Sequence, residues 1–179
     1  KKNKHVLIDK PFTLNFKETR SLIDIAQKRK LFLSEAIVFH KHNQFKKLIS
    51  LLNFNKKIIL NSKFHIPKFK KNNFRNFRKF GGGCFQDMSV YASYLILLFF
   101  KKKKYELKII NKKKNFNNFS LSANSKKTTI RSSFKFNSSY KNEIVIINNS
   151  KKYTINYAFS PPIDKSTSIR IFDDFKKKE

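Results

Sequence analysis

The chain has 179 residues, and its 41 lysines and arginines outnumber 11 aspartates and glutamates, so the formal net charge is +30. A single cysteine excludes an internal disulfide framework and a cysteine-based zinc site. An apolar fraction of 40%, with 15% aromatic residues, excludes a wholly disordered chain and predicts one domain, or one domain plus a piece of another.

The positive charge has two interpretations. A pI near 10.3 with scattered aromatic residues is typical of nucleic-acid binding. Lysine, asparagine, isoleucine and phenylalanine are also the residues of A- and T-rich codons, and lysine far outnumbers the arginine that phosphate recognition favours. The lysine runs at residues 101–104, 112–114 and 176–178 are dispersed between apolar segments. We therefore favour a compositional origin for the charge.

The first apolar segment, residues 5–9, predicts a buried strand that stops at Lys10 and Pro11. Ligands of open α/β sheets gather at the carboxyl ends of parallel strands, so Lys10 is a candidate proton donor. In a lysine-rich chain, the alternative is a solvated lysine in a turn.

A capping box, Asn15 with Glu18, predicts the start of a helix after this strand. Residues 31–38 predict a second strand, so the first forty residues form a parallel βαβ unit. The inner side of the helix is expected to carry four apolar residues: Leu22, Ile23, Ile25 and Ala26.

The next segments predict a short amphipathic helix at residues 45–52, a strand at 58–66 and a loop at 68–80. The second half of the chain predicts an antiparallel meander. Its strand-like runs are residues 105–110, 116–122, 128–136, 143–147, 153–158 and 168–172.

All three glycines of the chain stand together at residues 81–83. The apolar run 90–100 that follows predicts a buried helix, and its longest apolar stretch is far short of the ~20 residues of a membrane span. Asp87 and Tyr91 lie one helical turn apart and share a face. This pair indicates either site chemistry or an acidic helix start above a packed tyrosine, and the spacing leaves both open.

His40 and His42 would share one face of a strand, but no third ligand stands at a recognised interval. We therefore expect surface or pocket-lining histidines and no metal site. The chain has neither a P-loop nor a G-x-G-x-x-G motif, so we expect no pyrophosphate cradle of the usual kind.

Two motifs carry a resemblance to a known family. Residues 5–15, HVLIDKPFTLN, resemble the H-V-L-x-E-K-P-x-x-x-N segment of the Gfo/Idh/MocA family of NAD(P)-dependent oxidoreductases, with Asp9 in place of glutamate. Residues 81–91 are similar to the family's G-G-G-x-x-x-D-x-G-x-[HY] motif, which matches Asp87 and Tyr91. The resemblance continues through residues 31–36, 45–48, 140–142 and 158–162, so it covers most of the chain.

The resemblance implies an α/β (α+β) fold. Residues 1–30 would be the end of a Rossmann domain, most of which is missing. Residues 31–179 would be a substrate and dimerisation domain, a mostly antiparallel open sheet with helices on one face. The resemblance also implies a cis peptide bond between Lys10 and Pro11.

The function implied by the resemblance is hydride transfer to or from a hydroxyl carbon of a sugar or polyol. Lys10 and Tyr91 would handle the proton, Asp87 would orient the substrate, and Asp9, Lys10 and Pro11 would contact NAD or NADP. We therefore expect a cytoplasmic protein that forms homo-oligomers through the sheet face, as the resemblance implies. Two alternatives stay open: a basic nucleic-acid-binding or ribosome-associated protein, and a non-catalytic remnant of the enzyme.

Overall fold

The computed structural model describes residues 3–110, 116–164 and 166–173. The lysine runs at 112–114 and 176–178 lie outside the described residues. The described ranges contain a two-stranded sheet, a seven-stranded sheet and three α-helices. The predicted α/β fold, with a mostly antiparallel sheet and helices on one face, is confirmed, although the sheet is mixed.

The N-terminal unit consists of β1 (Val6–Asp9), α1 (Phe16–Lys28) and β2 (Leu33–Ala36). β1 and β2 are parallel, which confirms the predicted βαβ order. The capping box is confirmed as well. The Asn15 side chain accepts a hydrogen bond from the Glu18 N–H at 3.0 Å, and the Glu18 carboxylate accepts one from the Asn15 side-chain amide at 2.8 Å.

The predicted burial of this unit is wrong. Three residues of β1 are exposed, and α1 has no buried residue, with Leu22 38% and Ile25 47% exposed. The physical reason is that β1 and β2 pair only with each other within the described ranges. The apolar residues of β1 and α1 therefore have the expected periodicity, but none of them belongs to the buried core of the described residues.

The large sheet has the strand order β4-β5-β6-β3-β7-β8-β9. All the predicted strand runs are confirmed, but the simple meander is wrong, because β3 lies between β6 and β7, parallel to the first and antiparallel to the second. The strands are β3 (Ile58–His65), β4 (Glu106–Ile110), β5 (Asn118–Asn124), β6 (Thr128–Lys135), β7 (Lys141–Asn148), β8 (Lys151–Asn156) and β9 (Ile169–Phe172).

The central place of β3 follows from its side chains. Ile58, Leu60 and Phe64 are buried on one face, and the Ser62 hydroxyl donates to that of Ser132 on β6 at 2.8 Å. β3 is hydrogen-bonded on both edges, as expected for a strand whose buried backbone groups have no access to water.

Helix α3 (Cys84–Phe100) crosses the inner face of this sheet, and α2 (Asn43–Ser50) packs into the same core. Leu95 and Phe100 of α3 are fully buried, as are Ile130 and Phe134 of β6. Burying each such side chain stabilises the fold by about 1.5–3 kcal/mol. This packing fixes the rotation of α3 about its axis and therefore the direction of its first turn. Among the helices of the described residues, none combines the length and apolarity needed to cross a membrane.

Candidate active site

The three glycines, Gly81 to Gly83, form a tight turn, the glycine corner, and the backbone of residues 74–77 packs against it. Gly81 and Gly83 have φ angles of +76° and +115°, a region that favours glycine. A Cβ at Gly82 would lie 2.5 Å from the carbonyl oxygen of Phe74 and 2.7 Å from those of Arg75 and Phe77. The segment predicted as a loop at residues 68–80 contains two short 3-10 helices, Phe74–Asn76 and Arg78–Phe80, that pack on the glycines.

The backbone N–H groups of this corner are occupied. Gly82 donates to the Phe77 carbonyl and Gly83 to the Arg75 carbonyl, both at 3.0 Å, and Cys84 donates to the Phe116 carbonyl at 2.9 Å. A phosphate cradle needs free N–H groups at a helix N-terminus. These three N–H groups are therefore not available to an anion, and the corner serves packing.

Lys10 and Asp87 meet at the start of α3. The Lys10 ammonium donates to the Asp87 carboxylate at 2.8 Å and to the Asp87 backbone carbonyl at 3.0 Å. Asp87 is 2% exposed and the Lys10 side chain 15% exposed. The Lys10–Pro11 peptide bond is cis, which confirms that prediction. An ammonium has three N–H donors, so one donor of Lys10 remains outside these two bonds.

Arg75 contacts the other oxygen of the same carboxylate, with its Nε 3.1 Å from Asp87 Oδ2. Its guanidinium lies over the ring of Phe74 at 4.5 Å and that of Phe69 at 5.6 Å. Sequence reasoning missed Arg75. The available signal was its residue type, since the chain contains only six arginines among its 41 basic residues.

Tyr91 lies one turn after Asp87 and is 9% exposed. Its ring packs against Phe39, Phe64 and Phe159 at centroid distances of 5.7, 5.4 and 5.1 Å, and Lys10 Nζ lies 5.2 Å from the ring centroid. Burial, and then the negative charge of Asp87, raise the pKa of the Tyr91 phenol. Tyr91 is therefore a protonated phenol at neutral pH.

An open cavity of about 460 Å³ adjoins this cluster. The groups with polar atoms in its lining include Asp9, Lys10, His42, Tyr91 and Ser160. Asp9 accepts a hydrogen bond from the Lys10 backbone N–H at 2.8 Å, which holds the turn after β1. The structure thus brings Lys10, Asp87 and Tyr91 together, with Lys10 and Tyr91 facing a common cavity.

The two histidines do not share a strand face, so that expectation is wrong. His40 lies in the 3-10 helix Phe39–Lys41, and His42 caps α2 by accepting the Gln44 N–H at 3.2 Å. The second strand ends at Ala36, because the chain turns into these short helices. His42 lines the cavity, as predicted for a pocket-lining histidine. In the described ranges, no group of three or more His, Cys, Asp or Glu residues could hold a metal ion.

Cys84 begins α3 but is fully buried. Burial, with a smaller effect of Asp87, raises the pKa of its thiol to about 12. A protonated, inaccessible thiol is a poor nucleophile, so Cys84 is a packing residue.

Scans against protein-family models and curated proteins found no match. Solved structures do match. A 3-ketoreductase from Actinomadura kijaniata, in complex with NADP and TDP-benzene, is 22% identical with a TM-score of 0.82, over 94% of this chain and 54% of that chain. The chain shares its fold with this ketoreductase.

A UDP-N-acetylglucosamine 3-dehydrogenase from Acidithiobacillus ferrooxidans is 17% identical with a TM-score of 0.70, over 94% of this chain and 52% of that chain. Both neighbours are oxidoreductases, so the fold that the resemblance implies is confirmed. The chain spans about half the length of the solved structures that it matches, and corresponds to their C-terminal portion.

Proposed function

We propose that this chain is the substrate-side part of an NAD(P)-dependent oxidoreductase that transfers a hydride to or from a hydroxyl carbon of a sugar or polyol. The observation that carries the proposal is the Lys10 ammonium, held by the buried Asp87 carboxylate beside Tyr91 at the edge of a cavity. The shared fold supports it, since one neighbour was solved with NADP and a nucleotide-linked ligand.

The proton steps follow from the donors at the cavity. In the direction of reduction, a carbonyl carbon accepts the hydride and its oxygen takes a proton from Lys10 or Tyr91, which gives the alcohol. In oxidation, the same proton leaves the hydroxyl as the hydride departs. A cation near the oxygen stabilises the developing alkoxide. Both oxygens of Asp87 are engaged by Lys10 and Arg75, so Asp87 acts on the substrate through Lys10.

A nicotinamide cofactor, NAD or NADP, would supply or accept the hydride. Asp9, Lys10 and Pro11 stand at the turn after β1, and Asp9 and Lys10 line the cavity where the nicotinamide end would meet the substrate. The glycine corner does not fit the cofactor's phosphates, because its N–H groups are occupied.

The N-terminal unit bears on how the chain divides into domains. We propose that residues 1–30 are the end of a dinucleotide-binding domain and residues 31–179 the substrate domain. Val6, Leu7 and Ile25 are exposed in the described chain, and the remainder of such a domain would cover them. Because β2 (Leu33–Ala36) pairs with β1, the small sheet crosses the proposed boundary, and the N-terminal unit extends at least to Ala36.

The outer face of the large sheet is the proposed surface for a second copy of the chain. Val145 on β7 pairs with Asn61 on β3, and Ile147 pairs with Ile59, which places a half-buried apolar strip on this face. Sedimentation of the purified chain would test the dimer. A monomer at all concentrations would contradict it.

The decisive experiment supplies a dinucleotide-binding part in front of this chain. The part of the Actinomadura kijaniata ketoreductase that precedes its match to this chain is fused before residue 1, and oxidation of NADPH is followed with a panel of keto-sugar nucleotides. Lys10→Met should lower turnover by about 100-fold or more, the usual contribution of a positioned acid. Lys4→Met is the matched control, since Lys4 is exposed.

Turnover that survives Lys10→Met unchanged would contradict the proposal. The rival nucleic-acid function is tested on the chain alone by titration with tRNA across a salt series. Tight binding with a steep salt slope, together with no cofactor-dependent turnover of the fusion, would favour the rival.

A further inference from the structure

We propose that Arg75 is a positioning residue that holds Asp87 in the orientation required by Lys10. The inference rests on the proposed function for its catalytic consequence. The positioning of Asp87 by Arg75 depends only on contacts within this chain. Arg75 and Lys10 approach opposite oxygens of one carboxylate, at 3.1 and 2.8 Å.

Two donors at opposite oxygens fix the plane of a carboxylate. Asp87 is nearly inaccessible to water, so an oxygen that loses its donor has no solvent to replace it. An unpaired buried acceptor costs far more than the net contribution of one hydrogen bond. Without Arg75, the Asp87 side chain would be free to rotate, which would weaken the hydrogen bond between its carboxylate and the Lys10 ammonium.

Arg75 also sets the charge of the cluster. The hydrogen-bonded group of Lys10, Asp87 and Arg75 carries two positive charges and one negative charge, so it presents a net positive charge beside the cavity. Loss of Arg75 would make the group neutral. A net positive charge favours a developing alkoxide over a neutral carbonyl, so the effect should fall on kcat more than on KM.

The position of Arg75 is itself determined by the glycine corner. Its backbone carbonyl accepts the Gly83 N–H at 3.0 Å and lies against the α-carbon of Gly82, where a side chain would overlap it. The rings of Phe69 and Phe74 lie close to its guanidinium. The three glycines, the arginine, the carboxylate and the lysine thus form one continuous chain of contacts.

The test observes the Lys10 ammonium directly by NMR, in the full chain labelled with ¹⁵N-lysine. Exposed ammonium groups exchange protons rapidly with water, whereas two hydrogen bonds and low exposure should make the Lys10 signal persist. Its assignment comes from its absence in Lys10→Met. In Arg75→Met, its proton exchange should become at least about tenfold faster, as expected when a charge-assisted hydrogen bond is lost.

Two further variants separate positioning from general loss of structure. Arg75→Lys restores the cation and should recover much of the slow exchange. Arg78→Met removes a neighbouring arginine whose guanidinium lies over the Phe116 ring at 5.1 Å, and it should leave the signal unchanged. Far-UV circular dichroism verifies that each variant is folded.

Unchanged exchange in Arg75→Met would overturn the inference, and so would an equal change in Arg78→Met. In the fusion enzyme, Arg75→Met should lower kcat about tenfold or more with little change in KM, and Arg75→Lys should restore part of it. If the NMR result holds and the fusion has no activity, the proposed function has failed and the positioning role of Arg75 stands.

Discussion

Replacement of Gly82 by alanine tests the contact on which the site is built. The added Cβ would meet three backbone carbonyl oxygens at 2.5–2.7 Å, and no side-chain rotation can relieve an overlap with backbone. The backbone of residues 74–77 must therefore move away, which weakens two hydrogen bonds, from Gly82 N–H to the Phe77 carbonyl and from Gly83 N–H to the Arg75 carbonyl.

The magnitude follows from these two effects. Overpacking costs about 1–3 kcal/mol, and each weakened hydrogen bond costs up to about 0.5–1.5 kcal/mol. We expect Gly82→Ala to lower the free energy of unfolding by about 2–6 kcal/mol, a large part of the ~5–15 kcal/mol typical of a domain. The Lys10 ammonium should also exchange faster, because Arg75 moves with the segment.

Urea unfolding followed by far-UV circular dichroism measures this loss, since the chain contains no tryptophan. Gly81→Ala is the matched control. Its Cβ would meet only the end of the Leu14 side chain, which can rotate, so its cost is the positive φ, about 1–2 kcal/mol. The reasoning is refuted if Gly82→Ala unfolds within about 0.5 kcal/mol of the wild type, the range of ordinary surface substitutions.

Two further predictions concern stability. Ser150 has a φ of +62° in the turn between β7 and β8, so Ser150→Gly should stabilise the fold by about 1 kcal/mol; no gain in urea unfolding would count against this strain. His65 is 8% exposed, and burial, followed by the charges of Lys135 and Lys63, lowers its pKa. The unfolded state therefore binds the proton more readily, and the free energy of unfolding should fall as the pH drops below about 6.5. His65→Gln should make this fall shallower, whereas an identical pH dependence in both proteins would exclude the role of His65.

Local features could be predicted from the sequence because they depend on neighbouring residues. The Asn15 and Glu18 cap and the alternating pattern of β3 and β6 are signals of this kind. The place of β3 beside β6 could not be predicted, because alternation specifies which face of a strand is buried and not which strand lies next to it. The exposure of α1 was missed for the same reason, since periodicity predicts an apolar face and not its partner.

The candidate site was predictable in part. The spacing of Asp87 and Tyr91 placed them on one helix face, and the apolar run before Lys10 placed that lysine at the end of a strand. Lys10 and Asp87 are, however, 77 residues apart in sequence. Only the resemblance to a family joined them. Arg75 had no such support, because it lies in a segment without periodicity and its role depends on a contact made by the folded backbone.

The Lys10 ammonium and the Asp87 carboxylate belong to parts of the molecule that differ in their exposure to solvent. Lys10 follows the exposed strand β1, whereas Asp87 lies in the first turn of the buried helix α3. If Lys10 moved away from α3, Arg75 would still pair with the negative charge of Asp87, whereas Lys10 would become an ordinary solvated lysine. Such a movement would leave the Asp87–Arg75 pair in place on the core side, and only the return of Lys10 to α3 would complete the group of Lys10, Asp87 and Arg75.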